Sequence, residues 1–244
     1  GFCAMGYEVV WSRLARHWTG DRVTSFSVLL AVFLACVALG ARLTARLADR
    51  IRDPLATAAW MLMATGLLAF APVLLAGSLP AVIADFVARL AGDHARLGPG
   101  LALLSALLVA LFLEGVPCLL MGAGLPLVAA VAVREGNAGQ ATGRLYAANT
   151  VAGVLSSILA GFVIMPLLGL QRALWLLAGL AVLAGAAVIA VLPGSGRRRA
   201  AAGLLAGTLL FGGLLLPGDY LRRVYFAGAN LRVGTVREGA TTTA

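Results

Sequence analysis

Six apolar runs, each long enough or nearly so for a membrane crossing, limit what this chain can fold into more than any other feature. They lie near 23–41, 55–76, 101–133, 145–168, 173–192 and 200–217. A helix needs about 20 largely apolar residues to cross the hydrocarbon of a bilayer. Lipid offers the backbone no hydrogen-bonding partner, so a spanning segment must satisfy its own amides and carbonyls. The expected fold class is therefore all-α, a polytopic transmembrane helix bundle. A seventh run, residues 1–12, is too short to cross. It has no initiator Met and no basic start of a signal peptide, so it reads as a helix whose first turns lie before Gly1. The expectation is six complete spans plus one partial.

Composition agrees. The chain is 61% hydrophobic and 12% charged, with mean hydropathy +0.97, whereas a soluble domain is nearer half apolar and a quarter charged. The net charge of +9 comes entirely from Arg on the basic side. These arginines stand in ones to threes between apolar runs, without a basic face or an aromatic platform, which argues against nucleic acid as a partner. They suit the ends of spans, where they set topology and meet headgroups. Cys3, Cys36 and Cys118 all fall within apolar sequence and read as small buried hydrophobes, not metal ligands or a disulfide framework.

The joints are short. Arg50, Arg52, Asp53 and Pro54 close one, and Pro54 suits the first turn of the next helix. Others read "REGNAGQATGR" (134–144) and "PGSGRRR" (193–199). The longer stretch from Ser78 to Pro99 contains "AVIADFVARL", with Val82, Phe86, Arg89 and Leu90 at helical spacing. It reads equally as an interfacial helix or as a solvated loop with one turn. Arg42, Arg46, Arg50, Arg52, Arg134, Arg144 and Arg197 to Arg199 collect at one end. Arg13, Arg16, Arg22, Arg89, Arg96 and Arg172 collect at the other, joined by Arg222, Arg223, Arg232 and Arg237 if the last run crosses. Nine against ten leaves orientation open by count; the short triple-Arg joint favours the first end as cytoplasmic.

Three segments carry more specific information. In 145–168, Asn149, Gly153, Ser157 and Gly161 recur every four residues, beside a second row of Ala148, Ala152, Ser156 and Ala160. Rows of small residues let another backbone approach closely, which drives helix association in lipid. They predict a helix-packing role for Gly153, Ser157 and Gly161, with the helix near the bundle centre. Segment 101–133 would extend about 50 Å if straight, against about 30 Å of hydrocarbon. Its middle reads "EGVPCLLMGAGLP". Pro117 and Pro126 lack an amide and clash with the preceding turn, so a kink or a break is expected between Glu114 and Pro126. An intramembrane carboxylate such as Glu114 is a candidate polar site, with Asn149 and Tyr146 its expected neighbours; a group that satisfies carbonyls freed by the kink is the alternative. Near the N-terminus, Trp11 and Arg13 fit an interfacial anchor. Glu8 is a further candidate, read more readily as partner to an Arg on a neighbouring helix than as an ion site.

Taken together, "GYEVVWSR", "ARLADR", "PCLLMGAGLP" and "GRLYAANTVAGVLSSILAGFVIMPLLGL" resemble the membrane half of fused spermidine synthase-like proteins. Those join a helical, major-facilitator-like domain to a soluble aminopropyltransferase-like domain. The resemblance runs over most of residues 1–175. Ala45 to Arg50 also resembles the facilitator loop motif, in which Asp49 and Arg50 would brace neighbouring helices. Ala45 replaces a Gly of that motif, and Arg52, Asp53 and Pro54 replace its Gly and basic tail. The resemblance implies a membrane domain over 1–217. Over 218–244 it implies the start of a soluble domain, where Leu231, Val233 and Val236 alternate as in a strand. The remainder of that domain, which would bind decarboxylated S-adenosylmethionine, is expected beyond Ala244. Catalytic, cofactor-binding and metal residues are accordingly expected nowhere in 1–244.

Three functions follow as expectations. The chain is the membrane anchor of an aminopropyltransferase-like enzyme, or a facilitator-like transporter of polyamines or other cations with Glu8 and Glu114 as counter-charges. Alternatively it is an accessory subunit of a larger membrane complex. The lipid bilayer, other membrane subunits or a second copy are the expected partners, in a bacterial inner membrane.

Overall fold

The computed structural model describes residues 1–19, 23–75, 78, 82–83, 85–87, 89, 98–134, 138–194, 196–215, 217–218, 220–221 and 223. Among these every regular element is a helix. In chain order they are α1 (Phe2–Thr19), α2 (Val23–Leu47), a 3-10 turn (Ala48–Arg50), α3 (Pro54–Leu75) and α4 (Gly98–Ala110). A π-turn (Leu111–Gly115) then leads directly into α5 (Val116–Arg134). After α6 (Ala138–Leu159) comes a second π-turn (Ala160–Ile164), which leads into α7 (Met165–Val191), and α8 (Gly196–Leu215) follows.

Among the described residues, four stretches are long and apolar enough to cross a membrane: Phe26–Leu47, Pro54–Leu75, Leu103–Ala132 and the 53-residue Gly139–Val191. The last stretch holds two of the expected runs and is divided at Gly169, whose φ of 76° and ψ of 172° leave the helix. Only glycine reaches such a conformation without strain. The run near 200–217 forms α8, but Arg197, Arg198 and Arg199 occupy its first turn, and it is not among the four stretches. The outer surface is apolar, with Leu34, Leu43, Leu167, Leu204 and Phe211 well exposed. Contiguous exposed apolar surface of this kind belongs against lipid.

The joints behave as their residues dictate. The Asp53 carboxylate accepts a hydrogen bond from the Ala56 amide at 3.1 Å, and its carbonyl accepts from the Thr57 amide and hydroxyl. With Pro54 next, this is an N-cap followed by proline in the first turn. Asp53 and Pro54 thus start α3. Arg198 reaches Asp53 at 3.5 Å, so the triple-Arg joint and the 50–54 joint share one end of the bundle. In the 78–99 stretch, residues 82–83, 85–87 and 89 are helical. Val87 is buried and Ile83 packs on the core, while Val82, Phe86 and an Arg89–Asp85 ion pair face outward.

The closest helix pairs are α3 with α7, α2 with α5, and α3 with α5. Glycines sit at the crossings. A Cβ on Gly40 would strike the Leu119 carbonyl, and one on Gly122 the Val37 carbonyl. Gly66 faces the Ala178 carbonyl and Gly185 that of Ala59 in the same way. Gly122 therefore permits the close α2–α5 approach.

The expected centre of the bundle is corrected. α6 leaves Val151, Val154, Leu155 and Ile158 exposed, whereas Tyr7, Val10, Trp11 and Leu14 of α1 are fully buried. α1 packs against α2, α4, α6 and α7 and lies at the centre. The 231–236 strand expectation falls outside the described residues.

Candidate functional site: a buried carboxyl pair

The site is built where α1 meets α6 and the first π-turn. The small-residue rows of α6 form the seat for α1. A Cβ on Gly153 would lie 3.0 Å from Met5 Cγ, and one on Gly161 would lie 3.8 Å from Val9 Cγ1. Gly6 of α1 returns the favour: a Cβ there would stand 2.8 Å from both Ser156 Oγ and Leu177 Cδ2. Ser157 turns back to its own helix and donates to the Gly153 carbonyl at 3.0 Å. Close seating of this kind is what small residues permit in lipid, and it fixes the rotation of α1. The next residue along, Tyr7, stacks on Trp11 with ring centroids 5.0 Å apart and planes at 15°. This offset stack is a stable aromatic geometry.

Glu8 stands between these two rings in sequence and is 9% exposed; Glu114, in the first π-turn, is 0% exposed. The two side chains face each other within hydrogen-bonding reach, and Cys118 and Cys36 lie in the same electrostatic neighbourhood. As carboxylates the pair contains no donor. All four oxygens are then without a hydrogen-bond partner, as are Tyr7 Oη, Trp11 Nε1 and Ser156 Oγ. Two like charges this close and this dry repel strongly. One shared proton resolves both problems: it turns one carboxyl into a donor and removes one charge. The arrangement can hold a proton, and a cation that displaces it would meet two carboxylates. Among the described residues no group of His, Cys, Asp and Glu has the arrangement of a metal site.

Comparison with protein-family models, with curated proteins and with solved structures yields no match.

The remaining site expectations divide. Glu114 faces inward, but its partner is Glu8, and neither Tyr146 nor Asn149 plays that part. Tyr146 is 52% exposed on the outer side of α6. Asn149 lies at the far end of the α1 contact, where its carbonyl abuts Gly1. Glu8 faces a second carboxyl where an arginine was expected. Trp11 is a core residue, not an interfacial anchor.

The expected break between Glu114 and Pro126 is also corrected: the chain stays helical from 98 to 134. Instead a π-turn ends two residues before Pro117. Its wider ring moves carbonyls away from a proline that has no amide and would clash in a regular turn. Pro126 sits inside α5. The signal that could have found the pair is accounting: Glu8 and Glu114 are the acidic residues set within apolar helical runs, while the others stand in or beside polar joints.

Proposed function

We propose that this chain is the membrane domain of a spermidine synthase-like protein. In this reading it is a major-facilitator-like bundle with six complete crossings and one partial, in a bacterial inner membrane. It anchors an aminopropyltransferase-like domain that begins after residue 217 and uses decarboxylated S-adenosylmethionine. One spatial observation supports it. Three of the four stretches that carry the resemblance meet at one place: "GYEVVWSR" supplies Tyr7, Glu8 and Trp11. "PCLLMGAGLP" begins three residues after Glu114 and contributes buried Cys118, and "GRLYAANTVAGVLSS" supplies Gly153 and Ser156. Pieces far apart in sequence thus build one polar centre. The test is aminopropyl transfer to a diamine by the full-length protein in membranes. Activity lost on deleting the segment after residue 217, with the helices still assembled, is the expected result. A full-length protein inert at saturating substrate overturns the enzyme reading.

A second reading has its own support. Two carboxyls that face each other are counter-charges suited to a polyamine or another cation, as in a facilitator-like transporter. In proteoliposomes this reading expects uptake of a labelled polyamine that Glu114→Gln abolishes. Uptake unchanged by that substitution, or none at all, removes it.

A further inference from the structure

We propose that the pocket between α3, α7 and α8, at the Gly169 end of the bundle, binds the phosphate-bearing headgroup of an anionic phospholipid. Its depth is marked by three helix termini. α3 ends at Leu75, α8 ends at Leu215, and α7 resumes after Gly169. Hydrogen bonds hold these ends at one level. Tyr220 Oη donates to the Leu74 carbonyl at 3.1 Å, and Gln171 Nε2 donates to the Pro217 carbonyl at 2.8 Å. Gln171 Oε1 in turn accepts from the Leu221 amide at 3.1 Å. Where apolar helices stop together, headgroups begin.

The pocket has a volume of about 370 Å³ and is lined by Phe70, Leu168, Arg172, Trp175, Gly213 and Gly218 among others. That suits a headgroup with the first part of its chains. Its chemistry is divided as an amphiphile's is. The indole of Trp175 lies against Gly213, which has no room for a Cβ beside it, and with Phe70 and Leu168 makes an apolar wall. The Arg172 guanidinium lies over Gly218. Arg172 is exposed and makes no hydrogen bond or ion pair with the described residues. Its planar fork of donors matches phosphate oxygens two at a time. Gln171 cannot compete for the ligand, because both ends of its amide hold the chain. Basic pockets between helices at headgroup depth are suited to anionic lipid. A small free anion would leave the Trp175 wall unused.

The test uses the full chain in detergent, with lipid retention read by native mass spectrometry. Phosphatidylglycerol is expected to bind roughly tenfold more tightly than phosphatidylcholine, the difference one Arg–phosphate contact supplies. Arg172→Gln should erase that preference and Arg172→Lys should keep part of it. Equal retention of both lipids by the native chain, or an unaltered preference in Arg172→Gln, overturns the proposal. Inorganic phosphate should displace the lipid only in large excess. Displacement at equal concentration marks a free-anion site and overturns the lipid assignment. Should Arg172→Gln fail to fold, a second readout stands. Phosphatidylglycerol with brominated chains should quench native tryptophan fluorescence more than brominated phosphatidylcholine, through a component absent from Trp175→Phe. No such component overturns the proposal.

Discussion

The described residues contain two π-turns, Leu111–Gly115 and Ala160–Ile164, and each ends two residues before a proline, Pro117 and Pro166. Locally they solve the same problem: a proline inside a helix, whose ring a wider turn accommodates. Their surroundings differ. In the first, Leu113, Glu114 and Gly115 are buried, closed in by α2 and α3. In the second only Ala160 is buried, and Phe162 is 72% exposed toward lipid. Local sequence thus sets the backbone device twice, and tertiary enclosure makes one of them a polar site.

The sharpest way to break this comparison is to open the enclosure. Gly122→Val places a side chain against the Val37 carbonyl of α2, where nothing flexible can yield. Forcing volume into a packed crossing costs about 1–3 kcal/mol or more. Folded, monodisperse yield should fall by about an order of magnitude, a loss of roughly 1.4 kcal/mol or more. Gly161→Val, at the second turn, meets Val9 Cγ1 only at ordinary contact distance, so it should assemble near the native level. Equal yields of the two variants, measured by size-exclusion chromatography, would show that enclosure does not separate the turns.

The sequence carries the local half of this contrast and little of the enclosure. Apolar run lengths place α2, α3 and the 98–134 helix, and Gly169 falls between two runs where the backbone leaves the helix. Pro117 and Pro166 mark where helices are strained, because proline acts through its own ring and missing amide. What meets Glu114 at the first turn depends on α1, and α1 is the hardest segment to read. Trp11 and Arg13 near its end have the composition of a membrane interface, yet Trp11 is fully buried. A single helix cannot show whether its tryptophan faces headgroups or another helix. The pairing of Glu8 with Glu114 has the same cause: it crosses more than a hundred residues, and no periodicity within either helix reports it. The small-residue rows on α6 did announce a close neighbour, but not that the neighbour is α1.

A second prediction asks whether the carboxyl pair matters to stability. Glu114→Leu leaves Glu8 buried without its partner. An orphaned buried polar group costs about 1–3 kcal/mol, read as a lower midpoint of thermal unfolding in detergent. Glu114→Gln should be near native, because its amide donates to Glu8 where the shared proton did. At the exposed turn, Val163→Leu should change nothing measurable. A Gln variant as weak as the Leu variant would mean that charge, and not a shared hydrogen, holds α1 to the first turn.

The smallest expected effects come from the prolines themselves. Pro166→Ala restores an amide to an outward-facing turn, and a helix that can relax there moves only exposed side chains. Its stability should stay within about 1 kcal/mol of native, the net worth of one intramolecular hydrogen bond. Pro117→Ala restores the same amide, but relaxation is opposed. Losing the extra residue of a π-turn rotates one side of the helix against the other by about 100°, the angle per residue at 3.6 residues per turn. That rotation would carry Glu114 away from Glu8 into apolar packing, which the enclosure by α2 and α3 resists. Pro117→Ala should therefore keep its π-turn and shift the infrared carbonyl stretch of the protonated carboxyl only slightly, while Pro166→Ala leaves that band untouched. A large shift in Pro117→Ala would show that proline, and not the surrounding helices, holds the turn open. An equal shift in both variants would show that the two turns are mechanically coupled through α1, which touches Glu114 with one face and the second π-turn with another.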